Sequence, residues 1–280
     1  MEVVNQIASV RDRLKQNRHK KIGLVPTMGY LHEGHLSLIR EAKANCEVVV
    51  LSVFVNPLQF GPGEDLSRYP RDLQRDIQVA KEAGADLLFA PSVEEMYPHP
   101  PLTQVQVKGL TEPLCGSSRP GHFDGVTTVV AKLLHIVEPD HIYFGQKDAQ
   151  QAAVIQRMVE DLHFPVHMVT CPTVREEDGL AMSSRNVYLT PEERSQATIL
   201  YRSLSEGEKL WRQGHWLNSK DIVSFIEDQI QTQPLAKIDY VQVLHFPDLE
   251  PVHELTGSTL IVAVAVYFGK TRLIDNMIWN

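Results

Sequence analysis

The chain has 280 residues, 43% hydrophobic and 22% charged, with a formal net charge of −8: the composition of a globular protein with a full core and room for two domains. The acidic balance excludes a broad basic surface for nucleic acid, but a small anion needs only a few local cations and helix termini. The longest apolar run, 260–268, is far too short for a bilayer span, and the N-terminal stretch MEVVNQIASVRDRLKQNRHKK lacks the apolar core of a signal peptide. A cytoplasmic protein without a membrane partner is expected. Cys46, Cys115 and Cys171, odd in number and widely spaced, indicate neither a disulfide framework nor a zinc ribbon and read as buried or incidental thiols.

Val3, Val4, Ile7, Val10 and Leu14 recur at helical spacing and predict a helix over 3–18. The apolar run 22–25 predicts a short buried strand ended by Pro26, and Leu36, Leu38 and Ile39 predict a helix continuing to about residue 44. A strand thus feeds a helix through a tight turn centred on His32-Glu33-Gly34-His35. In open parallel sheets ligands collect at that end of the strands, where helix N-termini offer backbone N–H groups to anions. His32 and His35, three apart, share a face within reach of one phosphate, and Gly34 leaves backbone bare for a base or ribose. A zinc peptidase needs H-E-x-x-H, and here the second histidine comes one residue early. Two ordinary surface histidines are the plain alternative; the Pro26-Thr27-Met28-Gly29 turn before them favours a phosphate site.

Residues 48–55 read as a second strand, apolar throughout as in a parallel sheet covered on both faces. The Pro- and Gly-rich loop 56–63 then hangs Asn56 and Gln59 at the ligand edge. Gln59, with donors and acceptors, suits a substrate bearing hydroxyls, or else braces its loop. A helix over 72–83 leads to a strand at 86–89, a Pro-rich loop at 91–101 and an edge strand at 103–107. The small-residue loop 116–125, with Arg119 and His122, reads as a lid or a connector, and 126–136 as an apolar helix. A strand at 141–144 delivers Gly145, Gln146, Lys147 and Asp148 to the same edge as the histidines. Lys147 offers a cation for phosphate and Asp148 a carboxylate for a divalent ion, with a surface ion pair as the plain alternative. Gln151, three beyond Asp148, faces the same side.

Residues 166–170 form another strand, and 172–186 break periodicity. Within them Met182-Ser183-Ser184-Arg185 places two hydroxyls and a guanidinium in a flexible loop, suited to the outer phosphates of a triphosphate. Thr190 and Pro191 start helices over 191–212 and 219–231, followed by strands at 238–244, 260–268 and 272–278. Helices followed by strands, no longer alternating, mark a separate smaller α+β domain after an α/β one.

Five motifs, P-T-M-G-Y-L-H-E-G-H at 26–35, F-V-N-P-L-Q-F at 54–60, R-P-G-H-F-D-G-V at 119–126, Y-F-G-Q-K-D at 143–148 and M-S-S-R-N at 182–186, resemble in order and spacing the pantoate–β-alanine ligase (pantothenate synthetase) family. That family belongs to the nucleotidyltransferase superfamily and is related to class I aminoacyl-tRNA synthetases, whose HIGH and KMSKS signatures its H-x-G-H and M-S-S-R elements resemble. The resemblance implies a Rossmann-like parallel-sheet domain over 1–175 that binds ATP and pantoate, and an α+β domain over 176–280 carrying the Met-Ser-Ser-Arg loop. It implies attack of pantoate on the α-phosphate of ATP, then capture of the pantoyl adenylate by β-alanine. ATP and Mg²⁺ are the implied co-substrate and cofactor, and a homodimer the implied assembly.

By the same resemblance His35, His32, Lys147 and Arg185 are catalytic. Met28, Gly29, Tyr30, Leu31, His32, Glu33, Gly34, His35, Gly145, Gln146, Lys147, Asp148, Val174, Met182, Ser183, Ser184 and Arg185 bind ATP. Gln59 and Gln151 bind pantoate, Gln59 also lies near β-alanine, and Asp148 lies near magnesium. The chain departs from the family at Tyr30 and Glu33, where related chains often carry Asn and Asp; small effects are expected. Loop 60–71 or 116–125 is expected to cover the adenylate against water. A nucleotidyltransferase stopping at the nucleotidylated product would use the same H-x-G-H and Ser-Arg elements, but Gln59 and Gln151 favour ligation. An RNA binder without chemistry is disfavoured by the intact His, Lys and Arg set and the acidic balance.

Overall fold

Six strands pair in parallel: β1 (Glu2–Val4), β2 (Ile22–Thr27), β3 (Val48–Val53), β4 (Leu87–Phe89), β5 (His141–Gly145) and β6 (His167–Cys171), in the spatial order β1-β4-β3-β2-β5-β6. The computed structural model describes residues 1–255 and 259–280. Between the strands run α1 (Ile7–Lys15), α2 (Glu33–Asn45), α3 (Leu73–Ala83), the short α4 (Val93–Met96) and α5 (Cys115–Ser118), α6 (His122–Val137) and α7 (Ala149–Asp161). The chain divides into two compact units: Met1–Gly109, Arg119–Gln146 and Val154–Pro172 form the first, and Leu110–Ser118, Lys147–Ala153 and Thr173–Asn280 the second.

In the first unit β2 and β3 are apolar on both faces because both are covered. Val25, Val49, Leu51 and Leu88 pack against Leu38, Ile39 and Ala42 of α2 and Ala80 of α3; each fully buried Val, Leu or Ile side chain among them contributes about 1.5–3 kcal/mol. From β2 the chain works outward through β3 and β4, then returns to lay β5 on the other side of β2. That reversal makes the sheet doubly wound, with a switch point beyond the C-terminal ends of β2 and β5.

The helix expected over 3–18 is β1 followed by α1: Val3 and Val4 pair with Leu88 and Phe89, and extended Gln6 separates the two elements. Residues 103–107 are not a strand. The backbone of Val105 is satisfied by α6 hydroxyls instead, its N–H donating to Thr128 Oγ1 at 3.1 Å and its C=O accepting from Thr127 Oγ1. Helix α6 begins at His122 rather than 126, with Gly121 at φ +80° making the sharp entry, so His122 to Gly125 are helical. The helix expected over 191–212 is two, broken at Thr198, whose hydroxyl donates to the Ser195 carbonyl at 2.9 Å.

The second unit holds α8 (Pro191–Ala197), α9 (Ile199–Arg212), α10 (Ser219–Gln231) and an antiparallel sheet β7 (Ala236–His245), β8 (Leu260–Phe268), β9 (Thr271–Trp279) in that order. Leu260, Val262, Val264, Val266 and Phe268 pack with Leu200, Leu204, Ile222 and Ile226 of the helices. Ile261 and Ala263, on the opposite face, pack with Leu114, Ala149 and Ala153. Strand β8 is apolar at every position because both its faces are covered. Cys46, Cys115 and Cys171 are all buried free thiols. Among the described residues no helix is long and apolar enough to cross a membrane.

Candidate active site

Beyond β2 the chain turns through Gly29 (φ +85°) and Tyr30 (φ +49°) into α2. A Cβ on Gly29 would meet Val53 Cγ1 at 2.8 Å, so the turn needs glycine there for space as well as for conformation. The turn is clamped from α3. Asp76, 1% exposed, accepts from the successive N–H groups of Tyr30 and Leu31, both at 2.7 Å. Its neighbour Arg75 donates to the Leu31 carbonyl at 2.8 Å and lies 5.4 Å from the Tyr30 ring centroid. Burial pushes the Asp76 carboxyl up, against the opposing pull of those amides and Arg75.

His32 and His35 come together as their spacing predicts, ring centroids 4.0 Å apart. They also cap the helix. His32 Nδ1 accepts from Gly34 N–H at 3.2 Å, and His35 Nδ1 accepts from His32 N–H at 3.3 Å, a reciprocal box with imidazoles in place of the usual hydroxyl and carboxylate. With both Nδ1 atoms accepting, the neutral form of each ring is the one with its proton on Nε2. The Gly34 N–H is thus engaged by the His32 ring. Glu33 is exposed and ion-paired with Arg40.

Past β3, a 3-10 turn (Pro57–Gln59) holds Gln59, which is buried. Its Oε1 accepts from Asn56 Nδ2 at 3.2 Å and its Nε2 lies 3.2 Å from Met28 Sδ, so two residues predicted for the site meet here. Asn56 also donates to the Gly125 carbonyl at 3.0 Å and accepts from the Tyr97 hydroxyl at 2.9 Å; burial pushes the Tyr97 phenol up to about 12. The Gln59 carbonyl accepts from His122 Nδ1 at 2.8 Å and Arg119 Nη2 at 3.2 Å. His122 therefore carries its proton on Nδ1, and its Nε2 accepts from Arg119 Nη1 at 3.1 Å. Arg119 grips Glu64 in a two-pronged pair at 2.7 and 2.6 Å. Burial raises the Glu64 pKa, but the bonds and charge of Arg119 outweigh it and hold the carboxyl below its ordinary value.

Beyond β5 the chain passes from Gly145 into a 3-10 turn (Gln146–Asp148), entering the second unit at Lys147. Lys147 Nζ stands 3.8 Å from the exposed Asp148 carboxylate, and Gln151 is half-buried on α7. Residues 174–182, expected as part of a flexible loop, double back on themselves. Met182 N–H donates to the Val174 carbonyl at 3.0 Å, and Arg175 bridges to Ala181. Asn186 and Arg194 both bind Glu176, at 3.1 and 2.6 Å, stapling the segment. Ser183 caps the following 3-10 turn (Ser184–Tyr188) by accepting from Arg185 N–H at 3.2 Å, and Ser184 is buried. Among the described residues no three His, Cys, Asp or Glu side chains gather as a metal cage. One exposed carboxylate at Asp148 suits magnesium carried by phosphates, which needs only one or two protein carboxylates.

Sequence reasoning missed Asp76, Tyr97 and Glu64. Asp76 had a signal: it lies four and seven residues before Ala80 and Ala83, a charge on the buried stripe of α3. Glu64 and Tyr97 had none.

A doubly wound parallel sheet with a paired-histidine helix start beyond its central strand defines a Rossmann-like, nucleotide-binding class of enzyme. A family model described as Pantoate-beta-alanine ligase matches residues 2–278. The chain is 58% identical to the pantothenate synthetase of Acetivibrio thermocellus over 99% of both chains. It also superposes on the crystal structure of pantothenate synthetase from Thermus thermophilus with a TM-score of 0.93 at 50% identity, covering 99% of each chain. The pantoate-beta-alanine ligase of Francisella tularensis, solved with beta-gamma ATP and beta-alanine, aligns at 37% identity with a TM-score of 0.81, covering 99% of this chain and 97% of that one. The chain belongs to the pantoate-beta-alanine ligase family.

Proposed function

We propose that this enzyme condenses (R)-pantoate with β-alanine at the expense of ATP, forming pantothenate, AMP and diphosphate through a pantoyl adenylate. The observation that carries the reading is the family match over residues 2–278. ATP and β-alanine are the ligands named for the Francisella enzyme. In the first step a pantoate carboxylate oxygen bonds to the α-phosphorus as the bond to diphosphate breaks. In-line transfer of this kind needs alignment and cancellation of charge more than covalent help.

His32 and His35, with Nε2–H donors, suit the phosphates. Lys147 and Arg185 are assigned as cations for the same triphosphate, and residues 28–35, Gly145 to Asp148, Val174 and Met182 to Ser184 as its remaining contacts. Asp148 would hold magnesium, which when bound supplies charge neutralisation on the leaving diphosphate. Gln59 and Gln151 are assigned to pantoate, with Gln59 also near β-alanine. Gln59 suits that role because Asn56 and Met28 fix its side-chain amide while Arg119 and His122 fix its backbone.

In the second step the neutral amine of β-alanine attacks the acyl carbon, and AMP leaves. The mixed anhydride must be kept from water until then, and residues 60–71 are the cover we assign. The enzyme is proposed to act in the cytoplasm as a homodimer, which a mass measurement in solution tests. The reaction is tested by following diphosphate and AMP release from ATP and Mg²⁺ with D-pantoate, with and without β-alanine. The expected result is AMP release that depends on β-alanine and matches pantothenate formed. No diphosphate release with pantoate would overturn the substrate assignment.

A further inference from the structure

Two consecutive polar residues are buried in β9, Asp275 at 2% exposure and Asn276 at 5%. Neighbours along a strand point to opposite faces, and the pairing with β8 says which. Asp275 stands opposite Val264, whose side chain lies in the core under the helices, and Asn276 opposite Ala263, in the core that Ala149 and Ala153 cover. Each reaches a different segment of the second unit. Asn276 Nδ2 donates to the Lys147 carbonyl at 2.8 Å, in the middle of the 3-10 turn Gln146–Asp148. Asp275 takes both prongs of Arg175, at 2.6 and 2.9 Å, and its Oδ1 also accepts from Asn276 N–H at 2.8 Å.

Arg175 in turn donates to the Gly179 carbonyl at 3.1 Å, and its guanidinium lies 4.1 Å from the ring centroid of Tyr201 on α9. It is the residue after Val174, whose carbonyl receives Met182 N–H. The base of the hairpin that leads into Met182 to Arg185 is thereby anchored to β9. Neither segment shows this attachment in its own sequence.

We propose that Asp275 and Asn276 are positioning residues for ATP: from opposite faces of one strand they set the Lys147–Asp148 turn and the 174–185 segment in fixed register with each other. The inference rests on the assignment of Lys147 and Met182 to Arg185 to the nucleotide. A purely structural pair would weaken folding without distinguishing the three substrates. Positioning through the turn makes a narrower demand: the effect must fall on ATP and must shrink when the Lys147 side chain is gone.

The test is a double-mutant cycle on the full chain, reading KM and kcat for ATP, pantoate and β-alanine beside the melting temperature. Asn276→Ala removes one buried hydrogen bond and is expected to lower kcat/KM for ATP about five- to tenfold, leaving KM for β-alanine at saturating ATP within about twofold. In a Lys147→Ala background the same substitution is expected to cost less than about twofold more. Asp275→Asn, which keeps the shape and removes the charge facing Arg175, is expected to raise KM for ATP several-fold. Should Asn276→Ala fail to fold, Asn276→Ser carries the same comparison, with ATP affinity read by calorimetry. Equal fold-losses in both backgrounds, or equal losses for all three substrates, would overturn the proposal. A Lys147→Ala enzyme with unchanged ATP kinetics would overturn it differently, by removing the nucleotide assignment on which it rests.

Discussion

Replacing Asp76 with Asn tests whether the turn before the histidine pair is held by a buried carboxylate. The side chain accepts two N–H bonds at 2.7 Å from adjacent residues, one of them Tyr30 in the left-handed region at φ +49°. A non-glycine residue there costs about 1–2 kcal/mol, and two charge-assisted bonds at roughly 1.5–3 kcal/mol each hold it. Asn keeps one acceptor and turns an NH₂ donor toward the other N–H, so one bond is lost and one buried donor is orphaned. Against this, the variant no longer buries a charge, and burial already pushes the Asp76 carboxyl up. The net expectation is a loss of about 2 kcal/mol for Asp76→Asn, and about 3–5 kcal/mol for Asp76→Ala, which orphans both amides and leaves a cavity. Urea unfolding measures the first quantity. Because the displaced turn carries Met28 to His35, KM for ATP is expected to rise about tenfold, the equivalent of 1.4 kcal/mol. A stability change below about 0.5 kcal/mol with unaltered KM for ATP would refute the clamp.

His35→Ala is expected to lose on the order of 10²- to 10³-fold in turnover, the scale of one charge-stabilising donor, and about 0.5–1 kcal/mol of stability from the broken capping box; a turnover loss under about threefold would count against its role. Glu64→Gln should lower the melting temperature at neutral pH. The Glu64 carboxyl is held below its ordinary value in the fold, so its stabilisation is present above that value and disappears as pH falls through the lower folded one. The variant's deficit should therefore be full above the ordinary carboxylate range and shrink progressively as pH falls below it, and a deficit of constant size throughout acid titration would show that Arg119 does not recognise the charge. In Gly125→Ala the new Cβ would sit 2.4 Å from the Leu58 carbonyl oxygen and 2.6 Å from Gln59 N, both backbone atoms. A cost of about 1–3 kcal/mol is expected, with KM for pantoate rising more than KM for ATP; wild-type stability on calorimetry would show that the 3-10 turn yields freely.

Much of the candidate site's local geometry was legible because its residues act over short stretches. His32 and His35 meet because a helix brings positions three apart onto one face. The apolar runs at 22–25 and 48–51 mark their strands because both faces of the sheet are covered, although β2 runs on through Pro26, expected to end it, which stands opposite Ser52. Other features had no local mark. Val3 and Val4 fit a helical period equally well, and only the free edge of β4 decided that they form a strand. Residues 103–107 alternate like a strand, yet among the described residues no strand pairs with them, and the hydroxyls of Thr127 and Thr128 bond the Val105 backbone instead.

The sequence by itself determined the α/β order of elements, the motifs and the chemistry those side chains offer, since each depends on residues within a turn or two of one another. The tertiary structure alone decided what holds them: Asp76 on Tyr30 across 46 positions, Arg119 on Glu64 across 55, and Asn276 on Lys147 across 129. Nothing in the neighbourhood of either member of these pairs names its partner, even where, as at Asp76, a charge on a buried helix stripe marks the residue itself. Their pairing follows from the winding of the chain, because a buried polar group must find its partner wherever the fold brings one within about 3 Å.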